Sequence, residues 1–121
     1  MTATEGAYPA FADARGTLVP IDLAGAPIDV RRVFVVAAPP AGGVRRGDHR
    51  LHCREVIVLV SGSATVETSA EAEGLVERRE LKQPGDYVVV GPEGWLRYSL
   101  HDARSVVLVL ADAPYVPEDE R

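Results

Sequence analysis

The chain has 121 residues, 46% of them hydrophobic, and a formal net charge of -5 at pH 7. That is the length of one domain with enough apolar material for its own core, and the acidic balance argues against a general binder of nucleic-acid backbones. The single cysteine, Cys53, excludes an internal disulfide and a CxxC zinc pattern, and no apolar run approaches the ~20 residues a membrane span needs.

The opening "MTATEGAYPAFADARG" has no clear period and lacks the basic and apolar regions of a signal peptide. Residues 1–15 therefore read as a flexible arm on a soluble, cytoplasmic protein. No long helical period follows. Short Val-rich segments recur instead: "TLVPI" (17–21), "RRVFVV" (31–36), "EVIVLVSG" (55–62), "SATVET" (63–68), "LVERREL" (75–81), "DYVVVG" (86–91), "WLRYSL" (95–100) and "SVVLVLA" (105–111). Their β-branched content, and the Gly, Pro, Asp and Ser between them, predict an all-β antiparallel sandwich or barrel. "SGSA" (61–64), "KQPGD" (82–86) and "GPEG" (91–94) read as tight turns, and "SAEAEG" (69–74) as a hairpin tip in water. Residues 116–121 are an acidic, Pro-punctuated tail, and nothing marks a second domain within 1–121.

The stretch "GGVRRGDHRLHCRE" (42–55) holds two of the three histidines, the cysteine and four arginines. Gly42, Asp48, Arg50, Glu55 and Gly62 keep the spacing of the first cupin motif, G-x5-H-x-H-x4-E-x6-G. Gly85, Pro92, Gly94 and Arg97 follow the second motif with one extra residue between Gly85 and Pro92. The glycines, proline and glutamate fit, whereas the histidine positions read Asp48, Arg50 and Arg97. With "RGTLVPIDL", "PIDVRRVFVVAAPPAGGVRRG", "EVIVLVSGSATV", "GPEGW" and "VVLVLA", the chain resembles the nucleotide-sugar 3,4-ketoisomerases from about Arg15 to Tyr115.

The resemblance implies a single-domain cupin jelly-roll β-barrel, a homodimer with an exchanged N-terminal strand, and metal-independent proton transfer beside the ketone of a dTDP-4-keto-6-deoxyhexose. Carried over residue by residue, Arg45 takes the motif's arginine and Arg46 its glycine. Asp48 and Arg50 stand at the histidine pair, and Glu55 where the family usually has Gln. Phe34 and Val35 stand where it often has Tyr-Tyr, and Trp95 matches its tryptophan. Sliding the loop by one residue recovers His49 as the first histidine, but Leu51 then replaces the second.

No metal or cofactor is expected, because guanidinium cannot ligate and His49 and His52, three apart, fall on opposite faces of a strand. Parity groups Asp48, Arg50 and His52 on one face, which the cupin frame turns into the barrel. There Asp48 or His52 would move a proton and Arg50 or Arg97 would stabilise an enolate-like oxyanion. An Asp–Arg–Glu salt-bridge network that only satisfies buried charge is the rival reading. Arg45, Glu55, Tyr87, Trp95, Arg97, Tyr98 and His101 are the candidate substrate contacts, with Trp95 stacking on a flat group and Arg45, Arg46 and Arg97 suited to a diphosphate. The expected function is an isomerase, or a cyclase on a polyketide-like intermediate. The alternative is a small-molecule binding module without turnover.

Overall fold

A computed structural model describes residues 4–41, 44–70, 76–92 and 94–115, with 44–49 as backbone. The strands are β1 (Thr4–Ala7), β2 (Phe11–Asp13), β3 (Gly16–Leu18), β4 (Arg32–Ala37), β5 (Val44–Arg50), β6 (Glu55–Ser61), β7 (Ala64–Ser69), β8 (Val76–Leu81), β9 (Asp86–Val90), β10 (Trp95–Leu100) and β11 (Val106–Ala111). Each of the eight expected segments overlaps a strand. The additions are β1 and β2, within the stretch expected to be a flexible arm, and β5, within the polar stretch 42–55. The 116–121 tail lies outside the described residues.

The strands form a five-stranded sheet in the order β1-β9-β6-β11-β4 and a four-stranded sheet in the order β5-β10-β7-β8, with β2 and β3 as a separate hairpin. All the pairings are antiparallel. Together they make the jelly-roll architecture of a cupin.

Two apolar clusters follow from the alternation. Between the sheets lie Val36, Ile57, Leu59, Val88, Val90, Val107 and Val109 from the larger sheet, facing Ala64, Val66, Leu81, Leu96, Tyr98 and Leu100 from the smaller. On the other side of the larger sheet, Val56, Val58 and Leu110 pack with Ile28, and Tyr8, Ile21 and Val30 join them. The chain before β4 thus covers the outer face of the larger sheet. Covered on both faces, β6 needs no polar alternation, which explains the unbroken run "VIVL".

The β6–β7 turn fixes the direction of the barrel. Gly62 adopts φ 72°, a left-handed conformation that favours glycine. A Cβ there would stand 2.6 Å from Ser105 Cα. The turn places Ser61 and Ala64 at one end of the sandwich, and Glu55 and Ser69 at the other. Among the described residues, no helix is long and apolar enough to cross a membrane.

Candidate active site

The Glu55 end of the barrel is polar on its inner surface. Ala111 stands opposite Arg32 on one side and Glu55 on the other, and Glu55 stands opposite Val90. Residues directly opposite share a face, so Arg32 and Glu55 flank Ala111 on the face that carries Ile57 and Val109 into the core. Across the sandwich, Leu96 pairs with Thr68 and Thr68 with Glu77, while Arg79 pairs with Val66 in the next row. Glu55 and Thr68 are 6% and 3% exposed, an unusual degree of burial for polar side chains.

Several of these groups lack internal partners. Arg32 Nε, Thr68 Oγ1, Glu77 Oε2 and Arg79 Nε are buried without a hydrogen-bond partner. Arg79 does make longer ion pairs, 3.7 Å to Glu5 and 3.5 Å to Glu77. Buried polar atoms are otherwise almost always paired. Tyr8 Oη is likewise unpartnered, in the cluster outside the larger sheet; the other four lie on the inner surface toward the Glu55 end, where a polar ligand or water would complete their hydrogen bonding.

Burial pushes the Glu55 carboxyl up to about 7, against the pull of the Arg32 guanidinium and with the help of Asp112. The Asp112 carboxylate accepts from Arg54 N at 2.9 Å and Arg54 Nε at 3.0 Å. Arg32 lies over the rings of Phe34, at 4.9 Å, and Tyr115, at 5.5 Å, which hold its planar head by cation–π attraction. Burial also raises the Cys53 thiol, helped by Glu55 and Asp112. A raised thiol is a poor nucleophile near neutral pH.

The residues singled out from the sequence are spread over several surfaces. β5 pairs with β10 through Arg50 opposite Trp95, His49 opposite Leu96 and Arg46 opposite Tyr98. Gly47 and Asp48 together face Arg97, so a β-bulge resets the alternation at the motif. Leu51 joins the core at 2% exposure, its N–H donating to the Gly94 carbonyl. Arg50 and His52 are exposed beside the polar end. Parity here runs opposite to the expected grouping, with the Leu51 side chain inside and its two neighbours outside. The side chains of Arg45, Arg46, Asp48 and His49 lie outside the described residues.

Tyr98 does face the barrel interior, 5% exposed. Trp95 and Arg97 alternate with the buried Leu96 and Tyr98, and both are half-buried. Tyr87 belongs to the cluster outside the larger sheet, its ring 4.8 Å from that of Tyr8. His101 follows β10 at the far end, where Nδ1 meets Ser63 Oγ at 2.8 Å and Nε2 meets Thr65 Oγ1 at 2.7 Å. Thr65 in turn donates to Glu80 at 2.9 Å. The structure thus separates Tyr87 and His101 from the Glu55 end.

Arg32, Thr68, Glu77 and Arg79 were not singled out from the sequence. Alternation in "VERREL" places Glu77 and Arg79 in step with the buried Leu81, and that parity was the available signal. Among the described residues, no group of three or more His, Cys, Asp or Glu side chains converges as a metal set.

Two packed antiparallel sheets with a polar inner surface at one end define a single-domain cupin. Residues 4–120 match the family described as FdtA: WxcM-like, C-terminal, and the chain belongs to that family. No curated protein matches it in sequence. Among solved structures it is similar to a variant of the 3,4-ketoisomerase QdtA from Thermoanaerobacterium thermosaccharolyticum in complex with TDP-4-keto-6-deoxyglucose. Identity is 23% over 95% of this chain and 83% of that one, with a TM-score of 0.77. It is also similar to a 3,4-ketoisomerase from Helicobacter canadensis, at 22% identity over 99% and 89% of the two chains and a TM-score of 0.78. An rmlC epimerase from Mycobacterium tuberculosis matches at 23% identity over 96% and 66%, with a TM-score of 0.74. Identities this low establish a shared fold.

Proposed function

We propose that the protein is an isomerase that moves a carbonyl between neighbouring carbons of a nucleotide-linked 4-keto-6-deoxyhexose. The observation that carries this reading is the set of buried, unpaired polar atoms on the inner surface at the Glu55 end. A sugar presents hydroxyl and carbonyl oxygens that such atoms can bond. The complex of the QdtA variant with TDP-4-keto-6-deoxyglucose supports the choice of substrate class.

In this reading the sugar enters the polar end. Arg50 and His52, exposed there, meet the negatively charged diphosphate, and Trp95 offers a flat face to the base. Proton transfer beside the ketone requires a carboxylate or imidazole within reach, a requirement that Asp48, His52 and Glu55 meet by type. Arg45, Arg46 and Arg97 are assigned to the nucleotide. The reaction requires no change in total oxidation level, because one carbon is oxidised as its neighbour is reduced.

Beneath the polar rows the barrel is filled with Val and Leu. An interior filled by its own side chains favours, as a second reading, a small-molecule binding module without turnover rather than a cyclase on a polyketide-like chain. We also infer a homodimer. Val33 and Val35 are 50% and 61% exposed on the edge strand β4, beside an open groove of ≈ 390 Å³ lined by Arg32, Val33, Phe34 and Tyr115. A second copy would cover that edge.

Incubation with TDP-4-keto-6-deoxyglucose, followed by NMR, tests the isomerase. A 3-keto product is expected. Tight binding of the nucleotide sugar with no new product would instead identify a binding module, and turnover of only an apolar substrate would identify the cyclase.

A further inference from the structure

We propose that Glu55, flanking Ala111 with Arg32 at the polar end of the barrel, takes the proton from the carbon beside the ketone and returns a proton to the neighbouring carbon. The proposal rests on the isomerase reading and assigns its acid–base group.

Position is the first argument. Glu55 opens β6, the central strand of the larger sheet, and its backbone is in register with Val90 on one side and Ala111 on the other. A side chain anchored between two paired neighbours is held more firmly than one on a loop. It faces the interior, whereas Arg50 and His52 are exposed.

Charge is the second argument. Arg32 occupies the same row on the other side of Ala111, and its Nε has no hydrogen-bond partner. It can meet an oxyanion that forms when a neighbouring proton leaves. Among the described residues, Glu77 lies 3.5 Å and Glu5 3.7 Å from the Arg79 guanidinium, and both are already paired with that cation. Asp112 is held by two hydrogen bonds from Arg54. Among the described carboxyls, Glu55 is therefore the one most suited to exchanging a proton. Its shift toward about 7 matches a base that must both accept and release a proton near neutral pH.

The step balances within the substrate. The C3–H bond breaks and its proton passes to a Glu55 oxygen. The bonding pair forms C3=C4 while the C4 carbonyl pair moves onto O4, beside Arg32. The O3 hydroxyl proton transfers to O4, the Glu55 carboxyl trades its proton for one from water and delivers that proton to C4, and C3 becomes the carbonyl. C3 is oxidised, C4 is reduced, and no external reductant or oxidant takes part.

Among the described residues, Arg32 from β4 and Asp112 after β11 act on the Glu55 carboxyl and Cys53 lies ahead of it; Arg54 bonds Asp112, and Glu77 on β8 across the barrel pairs with Arg79. The test measures wild type, Glu55→Gln and Asp48→Asn with TDP-4-keto-6-deoxyglucose in deuterated water, alongside calorimetric binding of TDP. Glu55→Gln is expected to slow exchange about 100- to 10,000-fold while TDP affinity stays within about threefold, the spread of a near-neutral change. An active wild type with an equally active Glu55→Gln overturns the assignment and leaves the isomerase standing. So does loss of exchange in Asp48→Asn alone. A wild type that neither exchanges the C3 proton nor forms the 3-keto product overturns both. If Glu55→Gln does not fold, the wild-type pH profile decides. A rise in kcat/KM with a midpoint near pH 7, displaced in Glu55→Asp, supports the role, and a flat profile between about pH 5 and pH 9 removes it.

Discussion

Replacing Glu55 with Gln should stabilise the protein in a pH-dependent manner. In the unfolded chain this carboxyl titrates near the ordinary value of 4.5, and in the folded protein burial moves it to about 7. Between those values the folded state holds a proton that the unfolded state has released, so stability falls as pH rises through the window and then levels off. A difference of about 2.5 units corresponds to about 3 kcal/mol. Gln keeps the shape and cannot ionise. The stability of Glu55→Gln minus that of wild type should therefore grow by about 3 kcal/mol from pH 4 to pH 8, or about 10 °C in melting temperature for a domain of this size. Urea unfolding of both proteins across that range measures it, and contributions from other titrating groups largely cancel in the difference. A difference that stays constant from pH 4 to pH 8 would show that Glu55 is not held in a desolvating environment, and the physical reasoning about the polar end would fail.

Four further outcomes follow from the structure. Gly62→Ala should cost about 2 kcal/mol or more in urea unfolding, because it combines a left-handed φ with a clash at Ser105. Leu96→Ala should cost about 2–5 kcal/mol, since Leu96 is fully buried between the sheets. Light scattering should give twice the 13.0 kDa chain mass, falling toward the monomer in Val35→Asp; a monomeric wild type would contradict the interface assigned to β4. Treatment with a chelator should leave turnover unchanged, and loss of activity restored by a transition metal would contradict the metal-independent chemistry.

The strand pattern was legible because each buried row leaves an alternation, as in "WLRYSL", whose even-numbered members Leu96, Tyr98 and Leu100 are all inside. Spacing with Gly62, Gly85 and Pro92 identified the cupin frame. The N-terminal strands were not legible: β1 is an edge strand of mostly exposed residues, and β2 and β3 are short and exposed throughout. The motif stretch failed for a different reason. Arg50 and His52 share a face as the count in twos predicts, but it is the outer one: the bulge opposite Arg97 lies ahead of them, and beyond it the buried Leu96 is in register with His49. Leu51, an apolar residue among charged ones, marked the inward parity that the histidines obscured. Tyr87, a candidate substrate contact by residue type, is covered because the chain ahead of β4 folds back over its face of the sheet, a long-range contact that no local pattern encodes. Glu55 was found from motif spacing, but its partner Arg32 was not. Their proximity depends on both pairing with Ala111.

The central claim is that the barrel moves a proton between neighbouring carbons of a keto-sugar. The most direct measurement is proton NMR of TDP-4-keto-6-deoxyglucose incubated with the wild-type protein in deuterated water. The account predicts loss of the C3 proton signal from recovered substrate and deuterium at C4 of the 3-keto product. Substrate recovered with its C3 proton intact and no 3-keto product at saturating enzyme would contradict it.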